Sequence, residues 1–182
     1  MVESKINNMG FFSKKITTDK ITEALVGCFD TDYVSLVTNL KASLFKDRPI
    51  SINKEQDKEL LAVPMVAITR ATVTAFGDTS KTKNILGKFQ HDIFHKNFKD
   101  VEERDQFVEL FWERCGEYSE ILNQKDGDPL VHLGQIFCTH FFGKEEDGSH
   151  TAMIFFIAVI YPTFEIENKK FLDGISSRYE IV

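Results

Sequence analysis

The strongest apolar signal in the chain is the run SHTAMIFFIAVIY at residues 149–161. From 151 to 161 it carries no charge, and Ile154, Phe155, Phe156, Ile157, Val159 and Ile160 are all large and apolar. A helix apolar on every side belongs inside a fold with other elements packed round it. The pattern therefore predicts a buried helix near 150–161 at the centre of the molecule. A buried strand is the rival, because Ile, Val and Phe are strand formers and period decides nothing within so apolar a run. A membrane span needs about 20 such residues. This run is shorter, and it is fenced by Lys144, Glu145, Glu146 and Asp147 before it and Glu165 and Glu167 after it.

Around this stretch the apolar positions recur at helical spacing. Thr17, Thr18 and Asp19 offer caps, followed by Ile21, Leu25, Cys28 and Phe29 on one face. Asp30-Thr31-Asp32 reads as an interruption with a new cap. The following face is Tyr33, Leu36, Val37, Leu40 and Leu44, which ends before Pro49. Asn53 with Gln56 has the spacing of a capping box. Pro64 falls inside the next pattern, where it either kinks one helix or opens a second. Leu61, Met65, Ile68, Thr72 and Phe76 continue it as far as Gly77.

Asp78 or Thr79 caps the next element, which buries Ile85, Leu86, Phe89 and Ile93. Asp100 with Glu103 opens the clearest helix, with a stripe of Val108, Phe111, Cys115, Tyr118 and Leu122 that Phe107, Leu110 and Ile121 widen. Gly116 inside it suggests a close helix crossing. Asp126-Gly127-Asp128-Pro129 is a stop followed by a start. Leu130, Leu133, Phe137 and Phe141 follow, up to Gly143. Pro162 ends or bends the central run, and Phe164, Phe171, Ile175 and Tyr179 form a last amphipathic pattern.

These elements predict an all-α, single-domain globular bundle of about seven helices over residues 17–182, preceded by a flexible tail at 1–16. A hairpin of residues 132–142 and 151–161 is the alternative. It is rejected because a sheet needs further strands and the flanking segments have helical periods and caps.

Composition adds little to the fold and narrows the function. With 182 residues, 42% hydrophobic and 27% charged, the chain is long enough for a real core and is not of disordered type. There are 17 Phe against one Trp and four Tyr. Phe supplies buried area without a polar handle, so a Phe-rich core accounts for the surplus. A pocket for an apolar ligand or a groove for a partner helix would also use it. The net charge of −6 weighs against non-specific nucleic-acid binding, which needs a basic surface.

Cys28, Cys115 and Cys138 stand far apart among apolar neighbours, the usage expected of reduced thiols in a cytoplasmic protein. No apolar signal-peptide core is evident near the N-terminus, and no transmembrane segment is expected. The basic, aromatic segment at residues 9–15 is expected to fold back on the body.

For chemistry, the most suggestive pattern is His91-Asp92-Ile93-Phe94-His95. Histidines at i and i+4 share a helix face and can share a metal. Asp replaces the Glu of the metalloprotease pattern, and catalytic zinc takes three protein ligands. His132, His140, Glu102 and Glu103 are the possible third ligands. Cys115 lies near Arg114 and Glu113, but an apolar setting raises a thiol's pKa and blunts it as a nucleophile. Glycine-rich phosphate loops and a nucleophile elbow are absent. No cofactor is implied.

The leading expectation is a non-enzymatic protein–protein interaction or regulatory module that uses a protein partner or self-association as a homodimer. The second is a small apolar-ligand-binding protein with a pocket lined by Phe111, Met153, Phe155 and Phe156. The third is a metal-binding protein using His91 and His95.

Overall fold

The computed structural model describes residues 14–44, 51–143 and 149–182. The segment at 9–13 and the acidic loop at 144–148 lie outside the described residues. Six helices run in order: α1 (Thr18–Leu44), α2 (Lys54–Phe76), α3 (Ser80–Asn97), α4 (Val101–Leu122), α5 (Pro129–Phe142) and α6 (Ser149–Ser176). The fold is all-α, as the periodicity predicts, with six helices rather than about seven. Two pairs of predicted helices are each one continuous helix, α1 through Asp30-Thr31-Asp32 and α6 through Pro162.

The caps explain most boundaries. Asn53 and Gln56 form a complete capping box, with Asn53 Oδ1 accepting from the Gln56 amide at 2.9 Å and Gln56 Oε1 from the Asn53 amide at 3.1 Å. Asp100 accepts from the Glu103 amide at 2.9 Å. Asp128 accepts from Leu130 and Val131, with Pro129 in the first turn of α5. Gly77 ends α2 at φ 72°, a region that disfavours side chains with a Cβ. α2 carries Pro64 inside one helix.

The buried centre is α2, not the run at 151–161. Every residue from 58 to 68 is buried, and α2 packs against each of the other five helices, most extensively α6. It is the one described helix long and apolar enough to cross a membrane by length and composition, and 67% of its most apolar window is buried inside the protein. α6 is instead one-sided. Met153, Ile157, Tyr161, Phe164, Leu172 and Ile175 face the core at steps of three, four or eight residues, while Phe155 and Val159 face outward at 58% and 67% exposure. The correction has a simple cause. A run with no polar face gives no clue to which face is covered, and only tertiary packing decides.

α5 crosses α6 closely at Gly134, where a Cβ would lie 2.9 Å from Ile154 Cα. The Phe surplus goes largely into the core. Phe94 meets Phe107 and Phe111 edge-on, both at 5.7 Å, and joins α3 to α4.

The sequence pattern missed one element. Lys14–Ile16 (β1), the last three residues of the expected tail, pairs in parallel with Tyr179–Ile181 (β2). The register is Lys14 to Tyr179, Lys15 to Glu180 and Ile16 to Ile181. Val182 N–H also donates to Ile16 C=O at 2.9 Å. This short pair ties the segment before α1 to the segment after α6. Three-residue strands carry too little periodicity to be read from sequence.

Candidate functional site

His91 and His95 do share a face of α3, with ring centroids 4.2 Å apart. Both are exposed. His91 Nδ1 lies 3.3 Å from Asp92, and Arg104 donates to His95 Nδ1 at 3.2 Å. Partial desolvation and then the charges of Arg104, His91 and Lys99 lower the His95 pKa. Three of the four candidate third ligands are engaged elsewhere. His132 meets Gln124 at 3.1 Å, His140 meets Glu117 at 2.8 Å, and Glu103 pairs with Lys54 at 2.9 Å. Among the described residues no group of three or more His, Cys, Asp or Glu is placed to hold a metal ion.

The four residues of the expected apolar pocket stand on different sides of their helices. Phe111 and Met153 are in the core, Phe155 faces solvent, and Phe156 is half-buried.

The cysteines are poor nucleophiles. Burial pushes the thiols of Cys115 and Cys138 up to about 12, with Arg70 opposing the shift at Cys115. Burial and then Asp32 raise Cys28. Such groups stay protonated at neutral pH, the unreactive state of a thiol.

Sequence reasoning missed a charged chain through the interior. Arg114 of α4 donates two hydrogen bonds to Glu59 of α2, at 2.9 and 2.7 Å. Their side chains are only 6% and 7% exposed. Arg114 Nη1 lies 3.0 Å from Glu113 and 3.6 Å from Glu117 without an aligned hydrogen bond. Glu117 in turn meets His140 of α5 at 2.8 Å. Burial alone would lower the Arg114 pKa, but the Glu59 hydrogen bond and charge overcome it and raise it. Beside this chain, burial raises Tyr118 and Tyr161 well above the usual phenol range. These shifts keep the Arg114 guanidinium charged and the two phenols neutral around neutral pH, and the Arg114–Glu59 pair ties α4 to α2.

The remaining feature is the outward face of α6. Phe155, Val159 and Ile166 are 58%, 67% and 51% exposed. With exposed Ala152 and Thr163 they form a stripe at steps of three and four residues. No charged residue falls between 151 and 164 on any face of the helix. An apolar, charge-free stripe of this length on a surface helix has the form of a helix-in-groove or helix-pairing surface.

Scans of protein-family models, of curated proteins and of solved structures find no match to this chain.

Proposed function

We propose that this protein is a non-enzymatic protein–protein interaction module of the cytoplasm, acting through the outward face of α6, with a homodimer as its simplest assembly. One observation carries the reading: Phe155, Val159 and Ile166 stand exposed in a row on a helix whose opposite face is already in the core. Contiguous exposed apolar surface of this kind marks interaction sites more often than scattered single residues do. Two copies of one stripe would pair by the self-complementary logic of a two-fold interface. The unclustered cysteines, none in a disulfide, fit a reducing compartment.

The test is light scattering coupled to size exclusion, on the wild-type chain and on a Phe155→Glu/Val159→Glu variant. The wild-type chain is expected to run as a dimer or with a co-purifying partner. The variant is expected to be monomeric with an unchanged helical spectrum. A wild-type chain that stays strictly monomeric and recovers no partner would sink the proposal.

A further inference from the structure

A second surface, between α1 and α6, has a more specific chemistry. A groove of about 420 Å³ is lined by Ala24, Gly27, Cys28, Asp32, Glu167 and Phe171, with Asn168 at its base. Asn168 is 3% exposed. Its Nδ2 donates to Asp32 Oδ2 at 2.7 Å and to Phe164 C=O at 2.8 Å. Both partners are acceptors, which fixes the amide orientation. Its Oδ1 accepts no hydrogen bond from the described residues. Asp32 is half-buried; burial raises its pKa, the Asn168 hydrogen bond opposes the rise, and the Glu167 charge adds to it. Asp32 and Glu167 are in no ion pair among the described residues, although Asp30, two residues before Asp32, is held by Lys96 at 2.6 Å. Thr31 also lines the groove and turns its hydroxyl to Gly27 C=O, and the rest of the polar lining presents three acceptor groups and no cation. The floor is small and apolar, and a Cβ added at Gly27 meets nothing within 4 Å.

We infer that this groove receives an arginine side chain from a segment of a partner protein. Its guanidinium meets Asp32, Glu167 and Asn168 Oδ1, its stem runs along Ala24, Gly27 and Cys28, and Phe171 forms the aromatic wall. A guanidinium is donor-only, planar and always charged, so it suits clustered carboxylates better than a neutral or acidic group does. It also packs favourably beside an aromatic ring. The inference rests on the interaction reading above and names the partner's chemistry at a second surface.

The test is selection of peptides from a random 12-residue display library against the full-length chain, followed by affinity measurement on three variants. Asp32→Asn/Glu167→Gln removes the charge and keeps the shape. Gly27→Leu fills the groove and favours the helix. Phe155→Glu/Val159→Glu disrupts only the α6 stripe. The expected result is enrichment of arginine-containing peptides whose affinity drops at least tenfold in each of the first two variants and is unchanged in the third. Enriched peptides without arginine, or affinities within twofold of wild type in the first two variants, would overturn the groove assignment. If binding is lost only in the third variant, the interaction reading survives and the groove does not. If binding appears only after deletion of residues 1–13, the chain's own segment is the occupant and the partner assignment falls. With no enrichment and a monomeric protein, both readings fail.

Discussion

Burying Arg114 commits Glu59 to the same environment. The two make a bidentate pair between α4 and α2 with almost no solvent contact. Such a pair gains little over a well-packed apolar pair, but breaking it leaves one charge stranded. Arg114→Met is therefore expected to lower stability by about 3–5 kcal/mol, read as a shift of the urea midpoint. Arg114→Met/Glu59→Leu should recover most of that loss. If the single and double variants are equally unstable, the pair is not the reason. This residue also shows what local pattern cannot reach. The α4 stripe was legible at Phe111 and Tyr118. Phe107 and Ile121, which widen that stripe, are buried with them, and so is Arg114, which meets Glu59 of α2. Nothing near Arg114 in sequence names Glu59. The exposed His91 and His95 were legible as a pair on one face. That no third ligand joins them among the described residues depends on where α4 and α5 run.

At the scale of elements, helix starts were more legible than helix continuations. Asn53, Asp100 and Asp128 act through bonds to residues two or three positions on, so their role is local. The Asp30-Thr31-Asp32 break fails for a non-local reason. Asp30 is taken by Lys96, Thr31 Oγ1 donates to Gly27 C=O at 3.0 Å, and Asp32 accepts from Asn168. None is left to cap a new helix, and α1 continues. Glycine placement shows the same limit. Gly116 has open space where a Cβ would point, whereas at Gly134 a Cβ would collide with the Ile154 backbone. Gly134→Ala must push α5 from α6 and is expected to cost about 1–3 kcal/mol, the usual range for overpacking. Gly116→Ala should instead gain up to about 1 kcal/mol in helix propensity. Denaturant melts of the two variants check both signs. A tolerated Gly134→Ala would mean that the α5–α6 crossing is looser than described.

For the whole molecule, the centre is set by which helix is covered on all sides. α2 has that place although it begins with charges and carries Pro64, because Lys58 is held by Glu55 at 2.9 Å and Glu59 by Arg114. The run at 151–161 is more apolar and lies at the edge, with one face free. The same enclosure predicts how the fold responds to alkali. Burial is the largest cause that raises Cys28, Cys115, Cys138, Tyr33, Tyr118 and Tyr161 above their ordinary values of 9.0 for thiols and 10.0 for phenols. Above those ordinary values the unfolded chain releases protons that the folded chain keeps. The unfolded state then binds fewer protons, so stability falls as pH rises. Each group contributes a slope of up to about 1.4 kcal/mol per pH unit between its unfolded and folded pKa. Below about pH 8 these groups are protonated in both states and add no slope. Urea unfolding at pH 7, 8, 9, 10 and 11 should show no loss from this source up to pH 8, then a steepening decline. Cys115→Ala/Cys138→Ala should remove most of the part that begins near 9, where free thiols ionise, and leave the share of Cys28 and the later phenol part. An unchanged urea midpoint from pH 8 to pH 11 would mean that these thiols and phenols are open to water, and that the helices do not enclose them.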